Sequence, residues 1–131
     1  MVEDLIAHVQ GYGIPVVAVV LASLLDMAFG FGAAVLNKEV SSSKMREGIA
    51  RKLGILGLVV VAIFVELGTC YVGLPVNVPV VGGVAAWLVL MELISVCETL
   101  TKLNPELASS PLLSVLKCAF DSVDEKKENH V

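Results

Sequence analysis

Three apolar runs, residues 14–36, 53–74 and 80–97, dominate the chain, and each carries a single charged side chain, Asp26, Glu66 and Glu92 respectively. A helix of a water-soluble bundle turns a polar stripe toward solvent, and none of these runs has one, which argues against buried helices of a soluble domain. As a helix the first run measures about 35 Å at ~1.5 Å per residue, enough to cross a hydrocarbon layer roughly 30 Å thick. The second is of similar length and the third is near the minimum. The pattern predicts an all-α membrane protein with three transmembrane helices.

The polar intervals define how the spans connect. Gly11-Tyr12-Gly13 is a natural break before the first span. The residues before it include Glu3 and Asp4 but no lysine or arginine, unlike the basic start of a secretory signal, so the first span is expected to be retained. Pro75 and Pro79 close a tight connector that makes a hairpin of spans two and three. Beyond Glu98 the apolar run breaks through Thr99, Thr101, Lys102 and Pro105. Pro111 then opens a segment whose apolar residues Leu112, Leu113, Leu116, Ala119, Phe120 and Val123 recur at helical spacing. That segment predicts a short C-terminal amphipathic helix on the membrane surface, followed by a frayed tail of mixed charge. The reading is one membrane domain over residues 1–131, with a polar loop at 37–52 and an amphipathic segment and tail at 99–131.

Composition supports it: of 131 residues 56% are hydrophobic and 17% charged, and the mean hydropathy is +0.86. Charge adds direction. Lys38, Lys44, Arg46, Arg51 and Lys52 crowd the 37–52 loop against only Glu39 and Glu47, and the remaining bases, Lys102, Lys117, Lys126 and Lys127, follow the third span. Bases in short loops stay cytoplasmic, so the N-terminus is expected outside and the loop and C-terminus in the cytoplasm. A net charge of −4, with no basic soluble face, gives no reason to expect nucleic acid.

Candidate chemistry lies in the intramembrane acids Asp26, Glu66, Glu92 and Glu98. An aspartate near the middle of a span costs on the order of 3 kcal/mol to insert, so Asp26 calls for an explanation. It shares a face with Ala18, Ala22, Gly30, Ala33, Ala34 and Asn37, and Ala22, Gly30 and Ala34 are the helix-packing candidates on that stripe. Glu66 lies with Ala62, Thr69, Cys70 and Gly73, while Glu92 leads a face through Ser95, Thr99 and Lys102. The apolar runs contain no base to pair with these acids, so self-association around a shared wet surface is expected; snorkelling of Glu66 and Glu98 to the interface is the alternative. Cys70, Cys97 and Cys118 have no disulfide or zinc spacing, and His8 and His130 read as solvated. No nucleophile with its base, phosphate loop, metal cluster or cofactor motif is present, and no enzyme activity is supported.

The order of these features resembles the phage lysis and toxin-secretion holin family. Asp26 with Gly30 is followed by Ser43-Lys44, Gly48 and Arg51-Lys52, then by Glu92, Ser95 and Glu98, with Pro111 beyond. The likeness covers about residues 22–116. The sequence departs from the family's pattern at Glu98-Thr99, where members tend to have Glu-Asn, and at Ser109-Ser110, where they tend to have a glycine before the proline. The resemblance implies a homo-oligomeric protein of the bacterial cytoplasmic membrane whose partners are itself, the lipid bilayer and a functionally linked lytic enzyme or toxin that it lets across. The alternatives are a small homo-oligomeric ion or proton channel or transporter subunit, with Asp26 and Glu66 in the path, and a scaffold that alters no permeability. A four-span drug exporter would need a further span, for which the C-terminal segment is too short.

Overall fold

The computed structural model describes residues 2–75 and 79–128; the middle of the proline connector, with Asn77, and the last three residues, with His130, lie outside the described residues. The described chain is helical: α1 (Val2–Gly11), α2 (Gly13–Leu36), α3 (Ser42–Val72), α4 (Val80–Leu103), a 3-10 turn (Pro105–Ser109) and α5 (Pro111–Glu128). Three rods, Val2–Leu36, Ser42–Val72 and Val80–Leu103, are long and apolar enough to cross a membrane, with mean hydropathies of 2.2, 2.4 and 2.2. The expected break at Gly11-Tyr12-Gly13 is one residue wide. Tyr12 keeps a helical backbone, and its carbonyl accepts from the Val16 amide at 3.1 Å, so α1 runs on into α2.

The basic stretch departs most from expectation. Only residues 37–41 form a loop, and residues 42–52 are the first three turns of α3. Local chemistry explains this. Ser41 is extended and its hydroxyl accepts from the Lys44 amide at 3.4 Å, an N-cap. The residues after it are mostly good helix formers, and Glu47 and Arg51 pair one turn apart. At the other end, Gly73 takes the left-handed conformation (φ 68°), which lets its amide reach the Cys70 carbonyl at 3.2 Å and the Leu74 amide reach that of Thr69 at 3.3 Å.

The third span is also longer than its apolar run. α4 continues past Cys97 to Leu103 and stops before Pro105, where the Asn104 side chain accepts from the Glu106 amide at 3.2 Å. In α5, Ser110 caps the start by accepting from the Leu113 amide at 3.4 Å, with Pro111 in the first turn. The helix persists through residues 124–128, which were expected to fray. Of its predicted apolar positions Leu113 is buried, Leu116 half-buried and Ala119 exposed; the side chains of Leu112, Phe120 and Val123 lie outside the described set.

α4 packs along both α2 and α3, while α2 and α3 touch each other far less. Val19, Val59, Ala85 and Leu88 form the centre of the core, and Tyr12, Ala62 and Val81 continue it toward one end. The outward faces are apolar as well: Phe64 is 72% exposed and Leu21 60%. Large apolar side chains on the outside of a packed bundle suit contact with lipid.

Candidate functional site

Residues one heptad apart on two helices stack the interior into layers. Tyr12 at the junction of α1 and α2 is followed by Val19 and Asp26 along α2, and Lys52, Val59 and Glu66 follow one another along α3. The two helices are antiparallel, so Asp26 meets Lys52 at one end and Tyr12 meets Glu66 at the other, with Val19 and Val59 between. α4 adds Glu92 to the first layer, Ala85 and Leu88 to the middle, and Val81 to the last.

The first layer is an acid–lysine–acid cluster. The Lys52 ammonium donates to Asp26 Oδ2 at 2.6 Å and to Glu92 Oε2. The side chains are 14% exposed for Lys52, 16% for Asp26 and 4% for Glu92, so all three charges are withdrawn from solvent. Each comes from a different span, and one cation ties α2, α3 and α4 together. The expectation that no base is available to the intramembrane acids is therefore corrected for Asp26 and Glu92. The apolar run begins at Leu53 and so places Lys52 in the loop, whereas the Ser41 cap draws it three turns into a helix that faces both acids. Desolvation makes such a cluster sensitive to the loss of any member, since a remaining buried charge then has no counter-ion.

Glu66 heads the second polar layer. It is 7% exposed and its Oε2 accepts from the Val81 amide at 2.8 Å. Pro79 precedes α4 without a side-chain cap of its own, so an acid from α3 satisfies one of the first-turn amides and sits at the favourable end of the α4 dipole. Glu66 is thus held inward and does not snorkel. The Tyr12 hydroxyl is buried within the electrostatic reach of Glu66, although no hydrogen bond of acceptable geometry reaches it; buried Ser23 Oγ is also unpartnered. Fourteen residues of α3 separate Lys52 from Glu66, about 21 Å at ~1.5 Å per residue. Since hydrocarbon is roughly 30 Å thick, at least one of these polar layers lies within it in any position of the bundle.

The other predicted residues are dispersed. Ala22 is buried inside the bundle, whereas Gly30 and Ala34 line a cleft between α2 and α3. Lys38 occupies the turn after α2 with φ 55°. Lys44, Arg46 and Arg51 lie exposed on the first turns of α3, and Glu98 is exposed on α4. Ser95 and Thr99 are half-buried, and the Thr99 hydroxyl donates to the Ser95 carbonyl at 3.0 Å. Cys70 and Cys118 are exposed and Cys97 is intermediate. His8, expected to be solvated, is half-buried with Nε2 at 3.7 Å from Cys70 Sγ. Among the described residues no three His, Cys, Asp or Glu side chains gather as a metal site requires.

Sequence reasoning missed the pairing of Lys52 and the capping role of Glu66. The heptad register shared by Tyr12, Val19 and Asp26 with Lys52, Val59 and Glu66 was the signal that could have found both. In comparisons with known proteins, a model of the bacteriophage holin family matches residues 5–121. No curated protein and no solved structure matches the chain.

Proposed function

The chain belongs to the bacteriophage holin family, and from that premise we propose that the Asp26–Lys52–Glu92 cluster is the clasp that keeps each copy in a closed three-helix form until the membrane opens. Membership makes this a non-enzymatic, multi-pass membrane protein whose family role is to form membrane lesions through which a lysin is released. The observation that carries the clasp is the single ammonium held by carboxylates from two other spans. Packing supports the need for many copies: Val19, Val59, Ala85 and Leu88 fill the centre of the bundle, leaving a single copy no axial route for a folded enzyme. A lesion is then built between copies that self-associate in the cytoplasmic membrane, with the exposed apolar faces available for contact.

The test is inducible expression in a bacterium, with membrane potential and release of a folded cytoplasmic enzyme followed together. A delay is expected, then abrupt loss of potential and enzyme release, because assembly depends on concentration. An energy poison should advance the onset. Asp26→Asn keeps the side chain's size but leaves Lys52 a single charged partner, and it should shift the onset. An unchanged onset would leave Asp26 a packing residue. A leak that rises smoothly with expression and never releases protein would favour the channel reading.

The orientation is proposed from Lys38 in the turn after α2 and from Lys44, Arg46 and Arg51 on the exposed first turns of α3, which favour the cytoplasmic side and put the N-terminus outside. In a background lacking Cys70, Cys97 and Cys118, an impermeant thiol reagent applied to intact cells should label Asn77→Cys and spare Ser42→Cys. Labelling at position 42 from outside would reverse the topology.

A further inference from the structure

A cleft of about 670 Å³ separates the second half of α2 from the first turns of α3, well within the roughly 300–1,000 Å³ of small-molecule sites. It exists because α2 packs on α4 more than on α3, and because small residues face the gap from both helices. Asp26 and Lys52 close one end and the turn at residues 39–41 the other. Met27 and Phe31 form one wall, Met45 and Ile49 the opposite wall, and Lys44 and Arg51 also line it. This chamber lies at the polar ends of two helices long and apolar enough to cross a membrane, the level at which lipid headgroups meet water.

Charge identifies the occupant. Lys44 lies 3.9 Å from Glu39 and Arg51 3.6 Å from Glu47, and in both pairs the side chains are about two-thirds or more exposed. Such loose, water-exposed pairs leave ammonium and guanidinium protons available to a further anionic acceptor, and a phosphate diester, whose oxygens an arginine fork can grip in pairs, supplies one. Lys38 and Arg46 add positive charge nearby. A second copy paired cleft to cleft would bring like charges to the same rim, and its buried acids Asp26, Glu66 and Glu92 are engaged within its own bundle. Basic pockets between membrane helices favour anionic headgroups for the same reason.

We propose that the cleft binds one anionic phospholipid, with an acyl chain against Met27, Phe31, Met45 and Ile49 and the phosphate on Lys44 and Arg51. A zwitterionic lipid offers the same phosphate but sets its own cation against this rim, so it binds more weakly.

The full chain, purified in mild detergent, is examined by native mass spectrometry with phosphatidylglycerol or phosphatidylcholine added. One retained phosphatidylglycerol per chain is expected, with at least tenfold preference over phosphatidylcholine. Gly48→Leu should abolish retention by filling the cleft; a β-carbon at Gly48 meets nothing within 4 Å, so the helix can accept it. The pair Lys44→Gln and Arg51→Gln should erase the headgroup preference while leaving weak retention of both lipids. Circular dichroism checks that helicity is unchanged in each variant. Equal retention of the two lipids, retention unaffected by Gly48→Leu, or displacement by inorganic phosphate alone would overturn the proposal. So would disulfide-linked dimers through Ala34→Cys that form equally with and without phosphatidylglycerol, which would assign the cleft to a second copy.

Discussion

Lys52→Met should destabilise the folded protein by more than any other single substitution, on the order of 3–5 kcal/mol, because it leaves two carboxylates facing each other in the interior without a cation. Asp26 and Glu92 each lose their bridge to Lys52 at once, and each is less than one-fifth exposed. The measurement is the unfolding midpoint in detergent together with the amount of inserted protein in cells. Replacing the whole cluster, Asp26→Asn with Lys52→Met and Glu92→Gln, removes every formal charge and should recover most of the stability. That rescue separates an electrostatic cost from a packing cost: methionine fills much of the lysine's volume in both proteins. The neutral cluster should also change the time of onset, since the ionic restraint on the three spans is gone. If Lys52→Met is as stable as the parent and opens the membrane on the same schedule, the clasp is not a clasp.

Glu66→Leu is expected to have the second largest effect. It removes the acceptor for the buried Val81 amide in the first turn of α4, and a buried donor left unsatisfied costs about 1–3 kcal/mol. The damage should be local. Hydrogen exchange should speed up in the first turn of α4 and leave the Lys52 layer protected. Glu66→Gln keeps an oxygen in place and should retain most of the protection, with a smaller loss from the missing charge at the helix N-terminus. Equal exchange in both variants would mean that Val81 does not rely on Glu66.

The three spans were legible because length and apolar content suffice to recognise a segment that can cross a bilayer, and the proline connector marks its own turn. The functional chemistry was less visible because helix ends depend on short-range caps that an apolar window cannot see. Ser41 starts α3 three turns before the hydrophobic run, and those turns decide whether Lys52 is a loop base or an interior cation. The end of α4 was missed for a related reason: Thr99 and Lys102 dilute the apolar run without stopping the helix, which continues to Leu103 ahead of Pro105. Glu66 posed a harder problem. Its acceptor role is tertiary, joining α3 to the start of α4 across a connector, and only the packed arrangement reveals that the acid is satisfied by a backbone donor. The small-residue stripe divides because Ala22 is buried within the bundle whereas Gly30 and Ala34 border the open cleft.

The spacing of the two polar layers limits how a copy can shift in the bilayer. About 21 Å of helix separates Lys52 from Glu66 at ~1.5 Å per residue, whereas hydrocarbon is roughly 30 Å thick. A spanning bundle therefore cannot bring both layers to the headgroups at once. Sliding toward one face to wet the Lys52 cluster carries Glu66 and the start of α4 deeper into hydrocarbon, and the opposite slide reverses the exchange. The two layers act as opposite ends of one lever, and the pairing of Lys52 at one end and the Glu66 cap at the other keep either from being left dry and unsatisfied.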